Sequence, residues 1–318
     1  MAERPTPSIT VAIPAYQAQR FIAETLESIL AQTRAAEEVI VVDDGSTDGT
    51  ARELARFGAR IRVIRRPNGG CAAAFNTAFR AAAGDFVAEC GADDIWEPHK
   101  LERQLEALIA HPEIDIAFSA ARVFGAAAGC WGMPDNAHMR AGILERQGLA
   151  RTMYRSNPVC PSTLVIRRSL YERLGPFAEH IGTEDYEYWM RSLCGGAVFH
   201  YDPEMLVRYR RHDANASSDH LSMREADLYV HRRYAREVDD RALVREVLAG
   251  DHFALGRILR NAHRSREARA AFGASLRQKP TPRALAWALL VSMPARHQDA
   301  LANRAISLTR ALGAEPSG

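Results

Sequence analysis

Apolar positions in the first 118 residues switch between two spacings, and the switching predicts strands that alternate with helices. Short apolar runs at Ser8 to Ile13, Glu38 to Val42, Arg60 to Ile64, Phe86 to Cys90 and Ile114 to Phe118 read as strands. Between them the spacing lengthens to three and four. Phe21, Ile22, Leu26, Ile29 and Leu30 fall on one stripe of a helix from Phe21 to Thr33. Asp48 can cap a second helix reaching about Phe57; a third runs from Ala72 to Ala83. Pro98 suits the first position of a fourth, which ends near Ala110. Such alternation requires crossover connections. The expected class is therefore α/β, with a Rossmann-like, mostly parallel, doubly wound sheet.

The middle of the chain is less regular. Gly125 to Gly132 reads as a loop rich in glycine and alanine, Arg140 to Arg155 as a helix, and Thr163 to Ile166 as a short strand followed by a helix ending at Gly175. A helix from Glu184 to Leu193 stops at Gly195-Gly196. Ala197 to Tyr201 and Leu206 to Tyr209 read as two strands. Beyond about Ser222 only helical spacing remains. Two domains are thus expected, 1–218 and an all-helical extension over 219–318. Within the extension Leu255, Gly256, Leu259, Ala268, Phe272 and Pro280 have the intervals of a tetratricopeptide helix pair. A lone pair of this kind cannot bury its own face and should pack on a neighbour. Any antiparallel helix hairpin with small residues at its crossing satisfies the same spacing.

Composition narrows the partners. The 318 residues carry 41 basic and 39 acidic side chains, a net charge of +2, and this near balance argues against nucleic acid as the main partner, which usually demands a concentrated basic face. No run approaches eighteen apolar residues, so no transmembrane segment is expected. The start, Met1-Ala2-Glu3-Arg4-Pro5, lacks a signal peptide's apolar core. Five scattered cysteines (Cys71, Cys90, Cys130, Cys160 and Cys194) without a CxxC pair suggest reduced thiols in the cytoplasm.

The chemistry concentrates at the ends of strands. Val39-Ile40-Val41-Val42 runs into Asp43-Asp44-Gly45-Ser46, and Phe86-Val87-Ala88-Glu89-Cys90 runs into Gly91-Ala92-Asp93-Asp94. In an open α/β sheet, ligands bind just past the carboxyl ends of strands. Acids there can accept hydrogen bonds from a sugar or base, or face a cation. Asp44 could meet the imide of a uracil, although Asp-Asp-Gly-Ser also makes a good turn and cap. Pro14, Ala15 and Tyr16 end the first strand, where the ring can stack on a base or simply plug a turn. Asn68-Gly69-Gly70 lets a diphosphate approach closely ahead of Asn76. Asp93 and Asp94 suit Mg²⁺ or Mn²⁺ bridging phosphate oxygens; a solvated cap is the plainer alternative. Glu184 and Asp185 stand where a helix dipole favours negative charge, a position that acids also take with no chemistry attached. His212, beside Arg210 and Arg211, is either a metal or phosphate ligand or a solvated loop residue.

Taken together, these pieces resemble the GT-A family 2 glycosyltransferases. The matching residues are Ile13-Pro14-Ala15-Tyr16, Glu27 to Thr33, Asp43 to Asp48, Asn68-Gly69-Gly70 with Asn76, Gly84-Asp85, Ala92 to Trp96, and Glu184-Asp185 with Trp189 and Arg191. They keep the family's order from about residue 8 to 212. The resemblance implies a GT-A fold and an inverting transfer of sugar from a nucleotide-diphospho-sugar, UDP-sugar favoured, to an acceptor hydroxyl in glycan or polysaccharide biosynthesis. It implies that Pro14, Ala15, Tyr16, Asp44, Asn68, Gly70, Asn76, Asp93, Glu184 and Arg211 hold the donor. Asp93 and Asp94 would form a DXD-like ribose and metal site for Mn²⁺ or Mg²⁺, with His212 helping to hold metal or diphosphate. Asp185 would be the catalytic base.

Three departures stand out. Gly91 replaces an acid usual in the family, Phe75 an arginine, and Gln17 an asparagine. Gly91 and Phe75 open the alternative of a catalytically impaired scaffold that binds a partner through its helical tail, and Gln17 is the milder change. A sugar-phosphate nucleotidylyltransferase fits less well, because Pro14-Ala15-Tyr16-Gln17 stands where those enzymes carry a glycine-rich basic loop. Loops at Gly125 to Arg140 and Ser156 to Ser162 are expected to border the acceptor pocket. A glycan, a lipid-linked intermediate or another hydroxyl compound fits as acceptor. A lipid-linked one would require peripheral docking at the inner face of the membrane.

Overall fold

The computed structural model describes residues 7–125, 139–213 and 220–293. The chain divides into two compact units, Met1–Asn215 and Ala216–Gly318.

In the first unit one sheet carries nine strands: β1 (Ile9–Ala15), β2 (Glu38–Asp43), β3 (Arg62–Arg65), β4 (Phe86–Glu89), β5 (Ile95–Trp96), β6 (Ile116–Phe124), β7 (Gly142–Ile143), β8 (Val165–Arg167) and β9 (Phe199–Arg210). Their order is β3-β2-β1-β4-β8-β6-β9-β5, with β7 also on β9. The first four strands run parallel. Next, β8 enters antiparallel between β4 and β6, and β6 lies parallel to β9. Among the described residues seven α-helices accompany them: α1 (Ile22–Leu30), α2 (Thr50–Ala55), α3 (Cys71–Ala81), α4 (Lys100–Ala110), α5 (Arg146–Arg155), α6 (Arg168–Leu174) and α7 (Glu184–Cys194).

The alternation of side chains along a strand explains the layers. Ile9, Val11, Ile13 and Ala15 of β1, Val39 and Val41 of β2, and Phe86 and Ala88 of β4 share one core with Ile22, Leu26 and Ile29 of α1, Leu54 of α2, and Leu101, Leu105 and Leu108 of α4. Thr10, Ala12, Ile40, Val42, Val87 and Glu89 point to the other face, where α3 packs across β1 and β2. Ser28 and Gln32 tie α1 to the start of α4: the Ser28 hydroxyl accepts from Trp96 N–H, and Gln32 donates to the Glu97 carbonyl and accepts from Leu101 N–H.

The structure departs from the sequence reading at several places. No helix spans Arg140 to Arg155. Gly142, at φ 103°, interrupts it, so Gly142–Ile143 pairs with β9. Glu145 then caps α5 by accepting from Gln147 and Gly148 N–H. The two strands expected between Ala197 and Tyr209 are the single strand β9, whose register against β6 shifts opposite Ser119 to Ala121. That irregularity accommodates Pro203, which cannot donate to a ladder. Most of the loop expected at Gly125 to Gly132 lies outside the described residues.

The described residues of the second unit are helical: α8 (His220–Tyr234), α9 (Arg241–Asn261), α10 (Ser265–Gln278) and α11 (Pro282–Leu290). Gly256 of α9 faces the Phe272 ring of α10 so closely that a Cβ there would lie 2.8 to 2.9 Å from three ring atoms. Leu259, Ala268, Ala271 and Phe272 continue into Trp287, Leu290 and Val291, so α11 is the neighbour that covers the pair. Among the described residues no helix is long and apolar enough to cross a membrane.

Candidate active site

The parallel strands β1, β2 and β4 all end at one edge of the sheet, and the acids gather there. Past β1, Tyr16 is 55% exposed. Gln17, at φ 51°, folds its amide over the next turn, accepting from Thr47 and Asp48 N–H and donating to the Thr47 hydroxyl. Past β2, the Asp44 N–H donates to the Ala15 carbonyl, which locks the two strand ends together. The Asp44 carboxylate is buried and accepts from Gly69 N–H at 3.1 Å and Gly70 N–H at 2.8 Å, with Arg66 at 3.4 Å. Its hydrogen-bonding capacity is thus spent on shaping the Asn68-Gly69-Gly70 loop that opens α3. Gly45 allows this approach: at φ 80°, any Cβ would sit 2.8 Å from Asn68 N.

Asn76 corrects one expectation. Its side chain is fully buried and turned away from the strand ends. The amide donates to the Phe177 carbonyl and Glu179, and its oxygen accepts from Phe177 N–H and the Tyr171 hydroxyl. It pins α3 to the segment after α6, and no capacity remains for a donor substrate.

Past β4, the two neighbouring acids divide. Asp94 is buried, accepting from the Ser162 hydroxyl through one oxygen and from Arg210 N–H through the other. Burial, then the charge of Asp93, pushes its carboxyl up to about 7. Each oxygen thus accepts one hydrogen bond, and Asp94 is the more enclosed of the two acids. Asp93 turns outward, its carboxylate 2.9 Å from His212 Nε2. The His212 ring rests on Phe21, with centroids 4.7 Å apart. Arg210 lies over Phe21 and Phe124 and donates to the Asp93 carbonyl. Arg211 follows, its N–H held by the Phe124 carbonyl. A Cβ on Gly91 would point at Asp93, Asp94 and Ser162, 3.0 to 3.4 Å away, so the missing side chain leaves this acid face open.

These donors suit a divalent cation only in part. One carboxylate oxygen and one imidazole nitrogen stand together, an acceptable pair for Mn²⁺. Among the described residues no cluster of three or more histidines, cysteines or acids could enclose a metal. The rest of a coordination shell must come from a bound diphosphate and water.

The third group begins α7. Glu184, Asp185 and Glu187 occupy its first turn, where unsatisfied N–H groups favour negative charge. The helix is firmly held: Tyr188 stacks on Phe177 at 4.2 Å, the Tyr186 hydroxyl donates to the Met153 carbonyl, and Arg191 bridges Glu187 and the Leu174 and Pro176 carbonyls. Burial raises the Glu184 carboxyl, which accepts from the Cys71 thiol at the start of α3.

Glu89, the last residue of β4, belongs to the same cluster, although the sequence reading passed over it. It is 1% exposed and its Oε1 has no hydrogen-bond partner. Burial, then the charges of Asp185 and Glu184, raise its carboxyl well above the usual range. The available signal was an acid inside an apolar central strand. Cys160 links the two acid groups: burial pushes its thiol up, and charges on Asp94, Asp185 and Asp93 all add to the effect. Asp185 and Asp93 therefore both lie in the neighbourhood of Cys160. Of the loops expected to border an acceptor, Ser156 to Ser162 lies at this edge through Ser162, and 126–138 falls outside the described residues.

Comparison with known proteins places the chain in a family and a fold. Residues 10–175 match the family model described as Glycosyl transferase family 2. A protein of Rickettsia typhi named as a glycosyltransferase is 28% identical over 224 residues, covering 69% of each chain. EpsE of Bacillus subtilis, also named for a glycosyltransferase, is 28% identical over 247 residues, covering 75% of this chain and 81% of its own. The crystal structure of residues 1–349 of S. aureus TarS with UDP-GlcNAc aligns with a TM-score of 0.66 at 19% identity, over 96% of this chain and 92% of that one. The mannosyltransferase PcManGT from Pyrobaculum calidifontis, with GDP-Man and Mn²⁺, aligns at 0.57 with 18% identity, over 97% and 87%. At such identities the structural matches establish the fold, which is the GT-A architecture.

Proposed function

This chain belongs to glycosyl transferase family 2, and on that premise we propose that it is an inverting glycosyltransferase that moves a sugar from a nucleotide-diphospho-sugar to an acceptor hydroxyl. A UDP-sugar is favoured as donor. What supports the reading is that Asp185, at the start of a helix, and the outward-facing Asp93 of the Asp93–His212 pair both lie near enough to the buried Cys160 thiol to act on it electrostatically.

The reaction is a single in-line displacement. Asp185 takes the proton of the acceptor hydroxyl, whose oxygen forms a bond to the anomeric carbon as the bond to the diphosphate oxygen breaks. The diphosphate leaves with the bonding electron pair, and the configuration inverts. Tyr16 supplies a ring for the base, backed by Pro14 and Ala15. Asp44 acts chiefly through the loop it shapes, presenting Asn68 and Gly70 to the donor. Glu184 borders the sugar, and Arg211 adds positive charge beside the diphosphate. A divalent cation, Mn²⁺ or Mg²⁺, held by Asp93 and His212, would supply charge neutralisation for the leaving group. The bound UDP-GlcNAc of TarS and the GDP-Man with Mn²⁺ of PcManGT support the donor class. A glycan or lipid-linked hydroxyl is the proposed acceptor, used on the cytoplasmic side, with the membrane touched at most peripherally.

Calorimetric titration with UDP, GDP and dTDP, each with and without Mn²⁺, tests the donor site. UDP should bind, and more tightly with Mn²⁺. Absence of binding by all three nucleotides would overturn the reading.

A further inference from the structure

Glu89 has no part in the scheme above, yet its surroundings are unusual for a structural residue. It ends β4 on the face covered by α3, two positions before Gly91. The titratable groups near enough to act on it electrostatically are Cys71 at the start of α3, Glu184, Asp185 and Tyr188 of α7, and Lys100 at the start of α4. The strand therefore delivers a third carboxyl to the place where the base helix begins. An ionised Glu89 would have almost no water, one oxygen without a protein partner, and two acids for neighbours. Lys100 offers little relief: burial lowers its own pKa to about 7, and its amine donates to Gln104 and sits 4.0 Å over the Trp96 ring.

We propose that Glu89 is a positioning residue for the transfer reaction: as an uncharged carboxylic acid beneath the start of α7, it leaves Asp185 the single carboxylate base of the site. This inference rests on the role given to Asp185 above. With Glu89 uncharged, the site can receive an anionic diphosphate and still deprotonate a hydroxyl through Asp185. A charge on Glu89, which Lys100 offsets little, repels the donor. Binding of the nucleotide should therefore weaken as the pH rises through the ionisation of Glu89. Because the acids are coupled, removing the charge of Asp185 should let Glu89 ionise more easily.

Two measurements test this on the full chain. Carboxyl ¹³C titration with labelled glutamate should find Glu89 protonated at neutral pH, ionising lower by about one pH unit or more in Asp185→Asn. A Glu89 ionised at neutral pH, or one indifferent to Asp185→Asn, overturns the proposal. Calorimetry with UDP as probe should find its alkaline loss of affinity abolished in Glu89→Gln; an alkaline loss unchanged from wild type also overturns it. Absence of UDP binding at any pH would instead strike the transfer reading, and the carboxyl titration needs no nucleotide. It also needs no Glu89 variant to fold.

Discussion

His212 Nε2 lies 2.9 Å from the Asp93 carboxylate, across 119 positions of sequence. Strand β9 closes that distance. Its antiparallel pairing with β5 puts Arg208 opposite Ile95, and Arg210 N–H then reaches Asp94. The chain leaves the strand directly over the acid pair, with Phe21 beneath the imidazole.

If these two side chains hold the cation, His212→Ala should erase the metal dependence of nucleotide binding. UDP affinity measured with Mn²⁺ should fall about tenfold or more, toward the metal-free value, which itself should stay nearly constant. A full Mn²⁺ effect in the variant would assign the cation elsewhere.

Asp44→Ala should strike stability as well as binding. The change strands the Gly69 and Gly70 N–H groups and leaves the half-buried Arg66 without its acid. Urea unfolding should register a loss of about 2–4 kcal/mol. A neutral result would mean that the loop is held by other contacts.

Most residues of the proposed donor side could be placed along the chain from the sequence. Asp44 and Asp93 lie just past apolar strands, and Asp185 lies at a helix start, all positions that local patterning locates. What stayed hidden depends on long-range pairing. The register of β9, with its irregularity near Pro203, decides that His212 meets Asp93. The division of labour between Asp93 and Asp94 depends on Ser162 and Arg210, which come from distant segments. Asn76 carried a signal of position but none of direction, and only the fold turns it toward Phe177. Glu89 was masked by its apolar neighbours, which made the whole segment look like ordinary core.

Glu89 also links stability to pH. Its folded pKa lies above the ordinary value of 4.5, so the native state binds a proton that the unfolded chain has released. Stability is undiminished in acid and declines as the pH rises from that value toward the folded pKa. Glu89→Gln removes the decline. In melts across pH the variant's advantage should start near zero in acid and grow by up to about 1.4 kcal/mol per pH unit. An advantage independent of pH would mean that ionisation of Glu89 is not the cause.

In the helical unit, Gly256→Ala pits helix propensity against space. Alanine gains about 1 kcal/mol in a helix interior. Its methyl, however, would meet the Phe272 ring at 2.8 to 2.9 Å, in a core also packed by Trp287. Overpacking of this kind costs about 1–3 kcal/mol, so the net effect on thermal stability should be a loss. A raised melting temperature would mean that the α9–α10 crossing opens more easily than its packing implies.

The role of Asp185 is the central claim, and Asp185→Asn tests it most directly. Release of UDP from a UDP-sugar in the presence of acceptor should be followed for wild type and variant, alongside donor affinity by calorimetry. The asparagine cannot accept the proton, so release should fall about 10²- to 10⁴-fold while donor affinity is kept. Release at the wild-type rate with the donor bound as before would contradict the account.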